Sequence, residues 1–234
     1  MKAVEDRNTP WRAELRKAMK PKERTAIPRV KMNELDPEYR SHSRKEEVNL
    51  GLNEEQALTE AKRCLDCANP SCMEGCPVGI NIPGFIKNIE RGSNSSKPAR
   101  VLKQTSALPA VCGRVCPQEK QCESKCIHLK MGHEAVAIGY LERFAADYER
   151  ESGQISVPEI AEKNGIKVAV VGSGPAGLSF AGDMAKLGYD VTVFEALHEI
   201  GGVLKYGIPE FRLPNKIVDV EIENLSKMGV QFVK

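Results

Sequence analysis

The sequence predicts two parts of different fold class, α followed by α/β: a helical segment rich in cysteine and then the first half of a doubly wound parallel sheet. Three observations predict this division. Eight cysteines stand in two groups of four, a buried-strand pattern begins at Lys167, and a glycine-rich turn follows at Gly172. We place the two parts at residues 1–150 and 166–234, joined by a linker at residues 151–165.

The composition is that of a soluble globular protein, with 41% hydrophobic residues and a net charge of only +2. Without a basic run and interleaved aromatics, nucleic acid is a poor candidate partner. No apolar run is long enough for a membrane span, and the charged start at Met1–Arg7 lacks the apolar core of a secretion signal. We therefore expect a cytoplasmic protein, in which clustered cysteines bind metal or do redox chemistry rather than form disulfides.

Short helices are expected around the cysteines. The first fifty residues form a charged arm with one helix candidate near Trp11–Met19, and we expect this arm to pack on another part of the protein. Asn53 is a good N-cap and Gln56 stands in the capping-box position, which predicts a helix over Glu54–Arg63. That helix delivers Cys64 at its end.

Two further helices are predicted in the same part. Asn81 can cap a helix that Gly92 ends, and apolar residues at helical spacing predict another helix over Ala135–Arg150. The composition of Gly92–Pro98 predicts a loop between them.

The second part has the order β-α-β-loop-α-β. Its predicted elements are a buried strand at Lys167–Val171, a helix at Pro175–Leu187, a strand at Asp190–Phe194, a helix at Lys216–Met228 and a strand that starts at Val230. This order opens a doubly wound sheet, in which further strands flank the first strand on its other side. Since no such strands follow, we expect a truncated chain.

Each cysteine group has the spacing of a metal-ligand set and contains one Cys-Pro step. The first group, C-x2-C-x4-C-x3-C-P, differs from the run of bacterial ferredoxins by two extra residues in its middle gap. By the ferredoxin pattern, Cys64, Cys67 and Cys72 bind one four-iron cluster and Cys76 binds a second. One cysteine of the second group can return to the first cluster; that group consists of Cys112, Cys116, Cys122 and Cys126.

Two zinc sites are the alternative, because eight thiolates also make two four-thiolate zinc centres. Zinc ribbons present two C-x2-C knuckles on hairpins, whereas this chain has one x2 gap and helices around its cysteines, so we favour iron–sulfur clusters. The histidines have no ligand-like spacing, and we expect surface or packing roles for His42, His128, His133 and His198.

The segment Gly172-Ser173-Gly174-Pro175-Ala176-Gly177 fits G-x-G-x-x-G between a predicted strand and a predicted helix. In this motif Gly172 allows the tight turn, Gly174 lets the backbone approach a pyrophosphate, and Gly177 lets the helix pack on the strand. The pyrophosphate would bind the N–H groups at the positive end of the helix. The segment therefore predicts a dinucleotide site.

Glu195 ends the second strand of this part, where a carboxylate accepts a hydrogen bond from a ribose hydroxyl. Because that carboxylate would repel the 2′-phosphate of NADP, the site favours FAD or NAD. Gly201 and Gly202 form a second flexible segment, where a longer flavin dinucleotide could come close to the backbone.

Eight stretches carry a family resemblance: Arg63–Cys67, Gly75–Pro77, Asn81–Pro83, Leu108–Pro117, Ala137–Phe144, Val170–Gly177, Gly201-Gly202 and Tyr206–Pro214. Through them the chain resembles the N-terminal half of the small (beta) subunit of NADPH-dependent glutamate synthase, over nearly all residues from about fifty onward. That subunit is similar to part of dihydropyrimidine dehydrogenase and to the large subunit of NADH-dependent ferredoxin:NADP oxidoreductase.

The resemblance implies specific ligands and contacts. One [4Fe-4S] cluster takes Cys64, Cys67, Cys72 and Cys126, and the other takes Cys76, Cys116, Cys122 and Glu142. Cys112 is then not a ligand; without the resemblance, Glu142 would be interpreted as a solvated carboxylate. The implied FAD contacts are Ser173, Gly174, Pro175, Ala176, Gly177, Glu195, Gly201, Gly202, Leu204 and Arg212.

The resemblance also implies a function for the full subunit. It takes hydride from NADPH onto FAD and passes single electrons through the clusters to a flavin on the glutamate synthase large subunit, where glutamate is made. The alternatives are a ferredoxin:NADP oxidoreductase subunit, with ferredoxin as partner, and a non-catalytic zinc scaffold. Because the NADPH-binding domain is absent, we expect this chain alone to be inactive, to bind FAD weakly or not at all, and to self-associate through the unpaired edge of Val168–Val171.

Overall fold

The computed structural model describes residues 6–92 and 96–234. The charged start at residues 1–5 and the middle of the loop predicted for Gly92–Pro98, residues 93–95, lie outside the described residues. Within the first part the helices are α1 (Pro10–Ala18), α2 (Pro21–Ala26), α3 (Pro37–His42), α4 (Glu54–Arg63), α5 (Ser71–Glu74), α6 (Ile82–Arg91), α7 (Lys97–Lys103), α8 (Pro109–Val115), α9 (Ile127–Lys130) and α10 (Ile138–Glu151).

Two short strands in the arm, β1 (Asn33–Glu34) and β2 (Asn49–Gly51), pair antiparallel. The second part consists of β3 (Lys167–Val171), α11 (Pro175–Lys186), β4 (Asp190–Phe194), α12 (Val203–Tyr206), α13 (Asn215–Lys227) and β5 (Gln231–Val233). Its three strands are parallel in the order β3-β4-β5. The predicted β-α-β-loop-α-β order is confirmed. Among the described residues, no helix has the length and apolar character to cross a membrane.

The predicted helix caps are present. The side chain of Asn53 accepts a hydrogen bond from the Gln56 N–H at 2.9 Å, and the Gln56 side chain accepts one from the Asn53 N–H at 2.9 Å. Asn81 caps α6 through a bond from the Gly84 N–H at 3.0 Å, and Gly92 ends it at φ +141°. Because α4 ends at Arg63, Cys64 starts an extended turn.

The core of the first part forms where α6 packs on α4 and α10 packs on α8. Phe85, Ile86 and Ile89 of α6 are buried in one apolar cluster with residues of α4 and α10. At Gly113 a Cβ atom would lie 2.5 Å from the Arg143 backbone nitrogen, so only glycine lets α8 approach α10 this closely. This contact places Cys112 of α8, and Cys116 directly after it, beside α10.

A second core forms between α11, α13 and the sheet, with Leu178, Val193 and Ile217 fully buried. It continues into the first part. The Ala110 N–H of α8 donates to the buried carboxylate of Glu221 on α13 at 2.7 Å. Buried contacts therefore join the helical part to the sheet.

One prediction about burial is wrong. Lys167–Val171 forms a strand, but within it only Val170 is buried and Val171 is 90% exposed. The cause is the position of β3 at the edge of the described sheet, where it pairs with β4 alone. The arm also differs from the prediction, because it contains three short helices rather than one.

Candidate functional site

Four cysteines from the two sequence groups line one cavity: Cys64, Cys67, Cys72 and Cys126. Apolar side chains, among them Ile82 and Ile86 of α6, complete its wall. The two groups are tied together nearby, since the Ser71 hydroxyl donates to the Lys125 carbonyl at 2.7 Å. Every cysteine is a free thiol.

Burial and the neighbouring thiols raise the pKa values of three cysteines of this cavity, Cys64, Cys67 and Cys72. Burial is the first cause that raises the pKa of Cys72, and the neighbouring Cys64, Cys126 and Cys67 raise it further. Burial also raises the pKa of Cys64 to about 11, although the ammonium of Lys87 acts in the opposite direction. Four thiols crowded in this way fit a cationic cluster, because metal binding displaces the protons and removes the repulsion.

A second group forms around Cys76, Cys116 and Cys122. At Gly75 a Cβ atom would lie 3.1 Å from the Cys122 Cα atom, which shows how closely the two cysteine segments approach. Burial, then Glu142, then Cys76 raise the pKa of Cys116 to about 11. The Cys116 thiol donates to the Gln121 side chain at 2.9 Å.

Glu142 projects from α10 into this second group and is only 5% exposed. Its Oε1 atom is buried and has no hydrogen-bond partner among the described residues. Burial, with a smaller contribution from Glu221, raises its pKa to about 8. The interpretation as a solvated carboxylate is therefore wrong. A buried carboxylate oxygen without a partner is costly, and coordination of a metal relieves that cost.

Cys112 lies on α8 beside the same carboxylate. Burial and then Glu142 raise the pKa of its thiol, and the side chain of Ser106 acts in the opposite direction through a hydrogen bond. The fold thus brings both Cys112 and Glu142 next to Cys116.

The arrangement of ligand-type side chains bears on the choice between zinc and clusters. In residues 6–92 and 96–234, no group of three or more His, Cys, Asp or Glu side chains is arranged around a single metal ion. Four zinc ligands must all lie about 2.0–2.3 Å from one atom, whereas a cluster spreads its thiolates over several irons.

The histidines are not arranged as ligands. His128 is fully buried, and its Nε2 atom lies 3.0 Å from the Arg63 carbonyl oxygen. It also lines the cavity of the first four cysteines, a position that its sequence spacing did not reveal. His42, His133 and His198 are exposed.

The glycine-rich turn has the geometry that its motif predicts. Gly172 has φ +94°, and at Gly177 a Cβ atom would lie 2.1 Å from the Gly172 carbonyl oxygen. The strand and helix can therefore meet only if residue 177 is glycine. In the described part of the chain, no non-adjacent atom lies within 4 Å of a Cβ atom built on Gly174, so space remains there for a ligand to approach the backbone.

Ser173 joins the turn to the acidic residue and to the second glycine pair. Its hydroxyl donates to Glu195 Oε2 and accepts from the Gly201 N–H at 2.9 Å. Bonds from Ser173, first from its hydroxyl, lower the pKa of Glu195 to about 2, so the carboxylate is ionised at neutral pH. At Gly202 a Cβ atom would lie 2.8 Å from the Gly174 Cα atom, so the two glycine segments touch.

Leu204 and Arg212 differ in their surroundings. The Leu204 side chain is buried in the second core, whereas Arg212 is exposed beside the arm. Arg212 lines one cavity with Arg40 and another with Cys116. Arg212 therefore shares the lining of a cavity with one cysteine of the second group.

The chain matches two family models. Residues 40–154 match dihydropyrimidine dehydrogenase domain II, 4Fe-4S cluster, and residues 170–229 match an NAD(P)-binding Rossmann-like domain. The chain is 41% identical over 175 residues to the NAD-dependent dihydropyrimidine dehydrogenase subunit PreT of Escherichia coli (strain K12), which covers 74% of this chain and 42% of the relative.

Glutamate synthase [NADPH] small chains match as well. That of Escherichia coli (strain K12) is 39% identical over 186 residues, 80% of this chain and 39% of the relative. The small chain of Azospirillum brasilense is 35% identical over 186 residues, 80% of this chain and 38% of the relative. The resemblance seen in the sequence is confirmed. The chain spans about two fifths of the length of these curated relatives. The matches support an iron–sulfur segment followed by a nucleotide-binding Rossmann-like segment, both related to subunits of oxidoreductases.

Proposed function

We propose that this chain is the electron-transfer part of an FAD- and iron–sulfur-dependent oxidoreductase subunit of the glutamate synthase type. One observation carries the proposal: cysteines from two sequence groups meet at one cavity, and they are the same four that the resemblance assigns to one cluster. A ligand set shared between the groups favours two interleaved [4Fe-4S] clusters over two independent metal sites.

The proposed ligands follow the geometry of each group. The first cluster is held by Cys64, Cys67, Cys72 and Cys126, and the second by Cys76, Cys116, Cys122 and Glu142. The partnerless Oε1 atom of Glu142 supports its role as the eighth ligand, since Cys112 has a hydrogen-bond partner in Ser106.

The nucleotide site is proposed for FAD. Residues 172–177 offer the N-terminus of α11 to the pyrophosphate, Glu195 accepts the ribose hydroxyl, and the glycine pair at 201 and 202 closes the turn from the other side. The ionised Glu195 disfavours a 2′-phosphate. Arg212, beside Cys116, supports a path from the flavin side to the second cluster.

When bound, the flavin and the clusters supply the conversion of a two-electron hydride transfer into single-electron steps. The residues of this chain would hold these groups, and apolar side chains such as Ile82 and Ile86 would line the cavity of the first cluster. In the longer protein the electrons would come from NADPH and pass to a flavin on a glutamate synthase large subunit, for synthesis of L-glutamate. Ferredoxin is the alternative partner.

A second candidate function is favoured by the 41% identity to PreT. That relative is named as a subunit of an NAD-dependent dihydropyrimidine dehydrogenase, so a pyrimidine-reducing partner subunit is the competing proposal. Electron delivery to a purified glutamate synthase large chain, compared with a purified dihydropyrimidine dehydrogenase partner chain, would distinguish the two.

Iron and acid-labile sulfide analysis of the anaerobically prepared chain tests the cofactor proposal. We expect about eight irons per chain, four for each of two clusters. Cys126→Ser should lose the iron of the first cluster. Stoichiometric zinc, with no visible cluster absorbance, would contradict the proposal and support the zinc scaffold.

A further inference from the structure

The turn between Cys64 and Cys67 is enclosed by cationic side chains. Asp66, in this turn, has φ +53° and is fully buried. Its carboxylate forms ion pairs with Arg12 and Arg16, and its carbonyl oxygen accepts from Arg7 at 2.8 Å. The arm therefore holds the middle of the turn.

The Cys64 end of the turn is held from the other side. The Lys87 ammonium donates to the Cys64 carbonyl oxygen at 2.5 Å, and the Arg24 guanidinium lies 3.4 Å from the same oxygen. Both cations pair with Glu90. Among the described residues, the charged side chains that bond in or to this turn include five cations and two carboxylates: Arg7, Arg12, Arg16, Arg24, Lys87, Asp66 and Glu90.

Lys87 and Arg24 are both buried and both bond to the Cys64 carbonyl oxygen, but the bond from Lys87 is the shorter, 2.5 Å against 3.4 Å. The Lys87 side chain is 0% exposed. Solvent therefore screens its charge very little, and a charge in such surroundings acts more strongly on its neighbours than a surface charge does. The sequence offered no sign of this role, since Lys87 is one lysine on an amphipathic helix.

We propose that Lys87 is a positioning residue that fixes the Cys64 end of the turn and, through its buried charge, raises the reduction potential of the first cluster. The inference rests on the proposed clusters. Reduction adds one electron to the cluster, breaks no bond and moves no proton; the electron comes from the flavin side in the proposed function. Because the reduced cluster carries one more negative charge, a nearby cation stabilises it more than the oxidised cluster.

Three variants separate charge from packing. Lys87→Met removes the charge and keeps an unbranched chain, Glu90→Gln removes the opposing charge, and the double variant restores the original net charge. The readout is a potentiometric titration of the anaerobically prepared full chain, followed by electron paramagnetic resonance. The first cluster is identified as the signal that Cys72→Ser alters.

At a fixed applied potential, we expect Lys87→Met to lower the ratio of reduced to oxidised first cluster by about tenfold. This corresponds to a fall of about 59 mV in the reduction potential of that cluster, a one-electron couple. Glu90→Gln should shift the potential upward, and the double variant should return close to the wild type. A matched control is Lys103→Met, which removes another buried lysine, one that pairs with Glu149 instead. This control should leave the first cluster unshifted.

Two results would overturn the inference. One is a Lys87→Met variant that retains both clusters and whose first cluster has the same reduction potential as in Lys103→Met. If Lys87→Met does not retain the cluster, a Glu90→Gln variant without an upward shift decides against the proposal. A wild-type chain that takes up no iron contradicts the proposed function itself, and is recognised by iron analysis before any titration.

Discussion

Substitution of Glu221 by glutamine should change how the stability of this protein depends on pH. Glu221 lies on α13 at the junction of the two parts, 2% exposed, and accepts the Ala110 N–H at 2.7 Å. Burial, although opposed by the bond from Ala110, raises the pKa of this carboxyl from 4.5 to about 7. Between these two pKa values, the carboxyl group is protonated in the folded protein and ionised in the unfolded chain.

The sign and size of the effect follow from this difference. Between pH 4.5 and about 7 the folded state binds more protons, so the free energy of unfolding falls as the pH rises through that window. Each unit of pKa difference is worth about 1.36 kcal/mol, so the full loss is about 3 kcal/mol. Glutamine has no charge to bury, and its amide oxygen can still accept the Ala110 N–H. Glu221→Gln should thus gain up to about 3 kcal/mol over the wild type between pH 4.5 and pH 8.

Urea unfolding followed by circular dichroism at several pH values measures this gain, with both chains free of metal. Glu223→Gln is the matched control, because Glu223 lies on the same helix but is exposed and pairs with Lys227. The difference in the free energy of unfolding between Glu223→Gln and the wild type should be the same at every pH. A stability difference between Glu221→Gln and the wild type that is equal at pH 5 and pH 8 would refute the reasoning.

Two further predictions concern the proposed sites, and a third concerns the packing of α8 on α10. Cys112→Ser should keep the iron of both clusters, whereas Glu142→Ala should change the redox titration of the second; loss of four irons in the former would make Cys112 a ligand. Gly174→Ala should fold normally, because its Cβ meets no protein atom within 4 Å, but lose FAD in a binding titration; unchanged FAD affinity would contradict a close backbone approach. Gly113→Ala should destabilise the chain by roughly 1–3 kcal/mol in urea unfolding, because its Cβ would overlap the α10 backbone. An unchanged free energy of unfolding in Gly113→Ala would mean that α8 can move away from α10 without cost.

Local sequence predicted those helices whose capping residues lie within or next to the helix itself. The helix Glu54–Arg63 was predicted with its bounds because Asn53 and Gln56 form its capping box within four residues. Sequence reasoning missed α8, which carries Cys112. Its sequence contains glycine, and no side chain caps its start. This helix depends on burial against α10, which local sequence does not show.

The sequence by itself determined the ligand types, their spacing and the glycine turn, because thiolate chemistry and backbone freedom belong to single residues. Which cysteines share a cavity was decided by the tertiary structure, since Cys72 and Cys126 lie far apart along the chain and meet only through packing. Tertiary structure also decided that Glu142 Oε1 is buried with no hydrogen-bond partner in the part of the chain that is described, and that Lys87 bonds to the Cys64 carbonyl. Burial, charge and partnership depend on what surrounds a side chain, and those surroundings come from distant segments of the chain.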